Sequence, residues 1–578
     1  MIEQMKKYEF LIQASRYDDF LARLQEAGVV HVTIKQEGIS EDPQLQDCLT
    51  RVAEIRHLLE QGASDQLIRE MDDIRSQINS AIAEKNRVEP WGEFSSAQLA
   101  EFAKAGLQLH FYVCSKKQFS DKLGVFVNEV NGNVYFFALQ NNEEMPDYCQ
   151  EITLNKSVNE LDADIAALNG LLTVAQARIE AWQWANLENL KDELVKIEGK
   201  INWQRVSLSG DTAAEGALRL LEGFCPANQC DALEEILNTT NCYYESSDPQ
   251  EGDATPIKLR NNRFTQLFEV FTGMYGMPSY KEFDPTPILA PFYLLFFAMC
   301  MGDAGYGIVM IIAGLLIHKG KLKISMFDGL GPIITTLGAG TFVIGLLLGT
   351  FFGMPLLEAS WYPESLKKFI IHGTFMNFDI QMVLALVIGV FHICLAMVVK
   401  TICYTQRYGF RQSLSTWGWT LLIVGGIIIA ALSMAFSLPA ESIKWIVIVL
   451  AVVSGLGIYV FNTPGRNPLL NIGSGLWDTY NMATGLLGDV LSYVRLYALG
   501  LAGGMLGSAF NDIALMVLGE HPTWQWLPFL LILLFGHILN LLMSALGAFV
   551  HPLRLTFVEY FKNSGYEGKG TSYSPFKA

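Results

Sequence analysis

Two arginines sit where their surroundings make charge expensive. Arg495 lies in LSYVRLYALGLAGG and Arg554 in HPLRLTFVEYF, each within a long apolar run of helical periodicity. A guanidinium stays protonated at any physiological pH, and placing one near a bilayer centre costs about 2.5–3.5 kcal/mol even on insertion-based scales. Polar and small residues accompany both. Asp478, Asn481, Thr484, Gly488 and Ser492 lead to Arg495 in steps of three or four, and His537, Asn540, Ser544, Gly547 and His551 lead to Arg554 in the same way. That spacing puts each set on one face of a helix. Ser, Thr, Asn and Gly also glue membrane helices together without further function. Two arginines on two such stripes favour an ion pathway instead. Gly500, Ala502, Gly503, Gly504 and Gly507 follow Arg495 and keep that helix face low, so a neighbouring surface can approach it.

The elements that must hold these residues are apolar segments at about 287–318, 328–353, 380–402, 413–436, 443–461, 474–519 and 527–560. A crossing needs ~20 residues. The first segment carries MGDAGYG and reads either as one crossing or as a short hairpin. A hairpin, with the N-terminal half cytosolic, puts Lys319, Lys321, Lys323, Lys400, Arg407, Arg411 and Arg466 on the cytosolic side. Glu358, Glu364, Glu441 and Glu520 then face outward, with Lys367, Lys368 and Lys444 as basic exceptions. The positive-inside rule therefore predicts eight crossings, with both termini cytosolic and the last two helices long and tilted. Pro552 is expected to bend the final helix.

Charge is distributed unevenly over the 578 residues. Only 17% are charged, against ~25% in ordinary soluble domains, and those gather before residue 283. The chain thus divides into a cytosolic α+β part, 1–282, and an all-α polytopic membrane part, 283–578. In the first part, YEFLIQASRYDDFLARLQEAGVVHVTI reads as strand, helix, strand, with Tyr17, Phe20, Leu21 and Leu24 on the buried helix face. A related pattern returns at 217–246. Between them, Leu67, Met71, Ile74, Ile78 and Ile82 form one arm. Val158, Leu161, Ile165, Leu168 and Leu172, then Leu187, Leu190, Leu194 and Ile197, form the other. These steps predict a long antiparallel coiled coil with a β-rich lobe at its far end, LQLHFYVCSKKQF to NVYFFALQ. Such a body is a strut.

Several functions are disfavoured. A net charge of −17 argues against nucleic acid as a partner. There is no GxxxxGK[ST] loop to cradle ATP, and no cofactor motif. Cys225 and Cys230 lack a second pair or a histidine cluster, so they read as buried thiols rather than a zinc site. Nine scattered cysteines and a first stretch without a signal-peptide core fit a reducing, cytosolic setting.

LSYVRLYALGLAGGMLGSAF and HPLRLTFVEYF resemble the two arginine motifs of the membrane stator subunit of V/A-type rotary ATPases, called subunit a in eukaryotes and subunit I in prokaryotes. MGDAGYG, LGTFFG and GVFHI match further landmarks of that family, and the strut fits from Met1 onward. The resemblance implies that Arg495 faces a rotor ring of small membrane subunits bearing ion-binding carboxylates, with Arg554 in support. It places Glu559 at the cytosolic ion entrance and His551 on a family histidine position. Ser544 and Gly503 stand where eukaryotic relatives have glutamate and histidine. Peripheral-stalk subunits, the central stalk and an ATPase head are implied as partners in a prokaryotic plasma membrane, with H⁺ or Na⁺ as the ion. The chief alternative is a polytopic secondary transporter, which usually shows internal repeats with broken helices in matching positions; none is detected. A purely structural anchor leaves both arginine stripes unexplained.

Overall fold

The computed structural model describes all residues except 35–41, 108, 121–122, 140–144, 147, 241, 251, 322–328, 361, 437–438, 463–467, 520–523 and 578. Lys323, Arg466 and Glu520 of the topology argument lie outside the described residues. The chain forms two compact units: Met1–Thr33 together with Ala213–Lys577, and the inserted Ile34–Thr212.

In the inserted unit, helices Pro43–Gln61 and Asp65–Val88 pack along the 51-residue helix Val158–Leu208. Ser157 and Glu160 start the long helix with a reciprocal capping box, which satisfies two otherwise orphaned backbone donors. Ile78, Leu161 and Leu190 are buried as the spacing predicts, but Ile82 is exposed. Four-residue steps overrun the 3.6-residue turn, so Ala81 takes the more sheltered place. Lys85–Asp162 at 2.6 Å and Arg178–Glu70 at 3.0 Å mark the antiparallel register. Exposed pairs of this kind contribute at most about 1 kcal/mol each, so they fix register more than stability. The β-lobe is a four-stranded antiparallel sheet in the order 125–130, 133–139, 109–115, 150–152. Phe136 is fully buried in it.

The larger unit begins with a sheet whose main path runs His31–Val32, Leu218–Pro226, Met5–Gln13, Tyr243–Ser247, every pair antiparallel. Helices Tyr17–Ala27 and Cys230–Asn238 complete a βαββαβ lobe, with the other unit inserted between its second and third strands. Gly28 ends the first helix at φ 61°, a left-handed turn that favours glycine. Cys225 and Cys230 are both buried.

The C-terminal residues strap this lobe. Thr571–Ser572 pair in parallel with Pro256–Ile257. Tyr573 Oη donates to Val29 O at 2.6 Å, Phe576 N donates to Val30 O at 2.8 Å, and the Phe576 ring is 2% exposed. At the other terminus, the Met1 ammonium meets Asp284 at 2.7 Å. Lobe, linker and the start of the apolar helices are therefore one body.

Among the described residues, six helical stretches are long and apolar enough to cross a membrane: Gly331–Leu348, Ile380–Tyr408, Leu414–Met434, Ala440–Val460, Leu469–Leu518 and Trp526–Ser564. Thr286–Met301 and Ala304–His318 are apolar but shorter. Both short helices run along Gly331–Leu348 in opposite senses. Leu294 packs on Gly340, and Asp303–Ala304 on Gly345; the chain then returns past Gly338 to reach Gly331 at His318. Glycines make these approaches possible, since a Cβ on Gly345 would stand 2.2 Å from the Ala304 nitrogen. The apolar run that carries Arg495 is not one straight helix. It breaks at Tyr493 into Pro468–Ser492 and Val494–Leu518. Beyond Pro552, the last helix widens into the turn Leu555–Tyr560, a wide turn being a recognised source of helix bends.

The strap yields a test. Phe576→Ala empties a buried site, and Phe→Ala changes in cores cost about 3–5 kcal/mol, so limited proteolysis of the purified protein should cut the tail and the Val29–Val32 segment first. His31 touches Ser574 through Nδ1, and burial pulls its pKa below the ordinary histidine value. The folded strap accepts the neutral ring, so its protection is complete above about pH 6.5 and is lost as pH falls toward the lowered pKa. Cleavage at pH 5.5 should exceed cleavage at pH 8 in wild type. His31→Asn, which cannot titrate, should abolish that difference.

Candidate functional site

Val494–Leu518 and Trp526–Arg554 pack antiparallel, as contacts of Gly503 with Ser544, Phe510 with Gly536 and Asn511 with His537 establish. The polar residues between and around them form two groups, with Arg495 at the junction.

The first group is a continuous hydrogen-bonded chain. Ser544 Oγ donates to Asn540 Oδ1 at 3.2 Å. Asn540 Nδ2 donates to Gly503 O and to Tyr306 Oη, both at 2.9 Å. Tyr306 Oη reaches His537 Nδ1 at 2.8 Å, His537 Nε2 reaches Asn511 Oδ1 at 3.0 Å, and Asn511 Nδ2 donates to Phe352 O at 2.8 Å. One assignment of protons satisfies every link: the tyrosine donates to Nδ1, and the imidazole carries its hydrogen on Nε2. Asp303 holds the adjoining frame. Its Oδ1 accepts from the backbone of Gly305 at 2.8 Å, Tyr306 at 3.2 Å and Phe352 at 2.8 Å, and its Oδ2 accepts from Gly353 at 2.7 Å. MGDAGYG and LGTFFG are thus the two halves of one knot, which aims Tyr306 into the chain.

The second group lies beyond Arg495 in the other direction. Glu559 is 2% exposed, and its Oε2 has no hydrogen-bond partner. Asp489 is also buried; it receives Asn563 Nδ2 at 2.8 Å and Lys562 Nζ at 3.3 Å. Asn563 Nδ2 also donates to Glu559 O at 2.7 Å. Ser492 donates to its own helix, at Gly488 O. Glu559 and His551 both lie within electrostatic reach of Arg495, and His551 Nδ1 has no partner.

Arg495 itself is half-buried. Its Nη1 is shielded from solvent and has no hydrogen-bond partner, and among the described residues no carboxylate pairs with it. A desolvated donor on a charged group left unmade costs more than the 1–3 kcal/mol of a neutral one. The site therefore has an open position for an acceptor.

The other expected residues lie elsewhere. Arg554 is exposed. Asp478 accepts from Asn462 at 2.9 Å in a separate polar cluster with Ser474 and Ser415. Asn481, Thr484 and Gly488 face outward.

The sequence matches the V-type ATPase 116 kDa subunit family over residues 98–354 and 480–578, more than half of the chain and inclusive of both arginine motifs. The chain belongs to that family. It is similar to the V-type ATP synthase subunit I of Borreliella burgdorferi, 25% identical over 88% of this chain and 85% of that one. It is 27% identical along its full length to V-type ATP synthase subunit I 1 of Treponema pallidum, which is also covered in full. The A-type ATP synthase subunit I of Methanocaldococcus jannaschii is 31% identical over 74% of this chain and 63% of its own. With its six long apolar helices, this family member is a membrane protein.

Asp303, Tyr306, Asn511, Asp489, Lys562 and Asn563 were not legible as site residues. Helical spacing relates neighbours on one helix, whereas Tyr306 and Asn540 are 234 positions apart. The available signal was the break at Gly302–Asp303, which sets a carboxylate inside an apolar run. Tyr306→Phe removes the hub of the first chain and strands the Asn540 amide. It should destabilise the membrane part by about 1–3 kcal/mol, read as a lower melting temperature in detergent. Asn540→Leu should be less harmful in the Tyr306→Phe background than alone, because both partners are then gone.

Proposed function

We propose that this chain is the stator subunit of a V/A-type rotary ATPase, supplying the half-channels through which H⁺ or Na⁺ reaches carboxylates on a rotor ring. The observation that carries the reading is the buried, unpaired Nη1 of Arg495 at the junction of two polar groups. A carboxylate from a passing ring subunit supplies the missing acceptor. Beside a fixed cation, that carboxylate is favoured in its ionised form, so it gives up its ion on arriving and takes another on leaving. The same charge repels cations that would otherwise pass directly from one group to the other. Arginine suits the task because, unlike lysine, it does not lose its proton when desolvated.

In this reading, Glu559, His551, Ser492 and Asp489 lead to the cytosolic side, and Ser544, Asn540, Tyr306 and His537 lead to the opposite one. Arg554 supports from the exposed face, and Asp478 lies at the margin of the path. The subunit hydrolyses no ATP itself. The helices of 34–212 act as an antiparallel coiled-coil strut that binds peripheral-stalk subunits and resists torque, while the central stalk and ATPase head complete the complex. The two short helices form the first hairpin of eight crossings in a prokaryotic plasma membrane, with both termini cytosolic.

Arg495→Ala and Arg495→Lys should assemble but lose transport coupled to ATP turnover, and Arg554→Ala should retain part of it. A variant with Ala or Lys at 495 that pumps at wild-type rate defeats the mechanism. For topology, cysteines placed at Lys321 and Ser572 should react with an impermeant thiol reagent from the cytosolic face alone; labelling from opposite faces would mean a single first crossing. Excising 34–212 between Thr33 and Ala213 should leave a membrane-inserted protein that no longer retains stalk subunits. Retention would refute the strut assignment.

A further inference from the structure

GVFHI, at 389–393, contributes nothing to either polar group, yet among the described residues it contains the most deeply buried histidine of the membrane part. His392 is 1% exposed. Its Nδ1 meets Tyr493 Oη at 2.9 Å, and its ring stacks on Tyr560 with centroids 4.7 Å apart and planes 9° from parallel. Tyr493 is the residue at the helix break, two positions before Arg495. Tyr560 directly follows Glu559 in the wide turn. One imidazole therefore touches both segments that carry the charged residues of the site.

The fit around Tyr493 is close. Its ring is 0% exposed and lies in a slot that exists because residue 389 is glycine; a Cβ there would stand 2.4 Å from the ring. Phe296 meets Tyr493 edge-on at 5.7 Å and His392 edge-on at 5.1 Å. At the break, Tyr493 N bonds to Val490 O at 3.1 Å and Leu496 N to Tyr493 O at 3.0 Å, two three-residue steps that tighten the helix. Tightening rotates everything that follows, so the direction in which Arg495 points depends on how this turn is held.

We propose that Gly389, His392, Tyr493 and Tyr560 form a positioning lock that fixes Arg495 relative to Glu559. His392 is a positioning residue, and ions do not pass through it. The lock rests on the reading of Arg495 as the group that meets the rotor carboxylate. Its logic is geometric: a misplacement of about 1 Å at a reacting group can cost on the order of 10²-fold in rate, whereas helix packing tolerates such a shift.

The test uses the complete rotary complex reconstituted in vesicles, with Arg495→Ala as a reference. Assembly, ATP hydrolysis and ions moved per ATP are measured for Tyr493→Phe, His392→Ala and His392→Asn. The asparagine amide occupies the place of Nδ1 and can bond the tyrosine, but it does not titrate. Tyr493→Phe and His392→Ala should assemble and lose coupled transport by about tenfold or more, and His392→Asn should recover most of it with an unchanged pH profile. If His392→Ala fails to assemble, Tyr493→Phe decides the question, because it removes one oxygen and little volume. Wild-type pumping by Tyr493→Phe and His392→Ala beside an inactive Arg495→Ala overturns the lock alone. A His392→Asn variant as inactive as His392→Ala, with a shifted pH profile in what activity remains, makes the histidine a proton carrier and likewise overturns it. Wild-type pumping by Arg495→Ala itself overturns the underlying reading instead.

Discussion

The membrane part is organised around a guanidinium whose Nη1 the protein buries but does not pair. Everywhere else among its described polar side chains, a bond is usually made within the chain, as a low-dielectric interior demands. Thr401, Thr405, Thr420 and Ser413 bond to one another and to helix carbonyls, and Asp303 fills its oxygens with four backbone donors. Arg495 Nη1 departs from this pattern. His551 Nδ1 and Glu559 Oε2 depart with it, as do His392 Nε2, Tyr560 Oη and Ser454 Oγ. In the proposed reading, the unpartnered atoms of Arg495, His551 and Glu559 mark where a mobile ion and an external carboxylate complete the chemistry.

Holding such a charge in place falls to two rigid devices of different kinds. The Asp303 knot is electrostatic: four N–H dipoles converge on one carboxylate, as at a helix N-terminus, and they join the Ala304–His318 helix to the 350–355 turn. Gly353 then lies against Gly507 and Ser508, so the knot also seats the Arg495 helix. The aromatic lock is steric, built from a tyrosine in a glycine slot and a stacked histidine. Between them, one fixes the outer course of the Val494–Leu518 helix and the other its first turn.

Periodicity made the helices, the βαββαβ repeat and the antiparallel arms legible, because each depends on which residues share a face. Spacing singled out Arg495, His537, Asn540, Ser544 and His551, whereas Glu559 entered only through the family resemblance. The same rule misplaced Ile82, where four-residue steps drift off the seam, and it drew Asp478, Asn481 and Thr484 into a continuous stripe. The Tyr493 break interrupts that stripe, and no apolar count reveals it, since tyrosine suits a helix interior. Tyr306, Asn511 and Asp489 stayed hidden for a related reason. Their roles come from partners on other helices, which a linear pattern cannot pair.

The terminal strap bears on how force travels. In the proposed role the N-terminal lobe has to resist torque carried by the apolar helices, and a single polypeptide link between them would bend. Here the first strand is tied by Met1 to Asp284 and by Met5 N to Tyr280, while the last residues cross back to Val29 and Val30. Backbone bonds in a short parallel pair add little energy singly, about 0.5–1.5 kcal/mol each. Placed at both ends of the chain around one lobe, however, they remove the rotations that a lone linker would allow. The two termini thereby turn a flexible junction into a stiff one, and the lobe moves with the membrane part that carries Arg495.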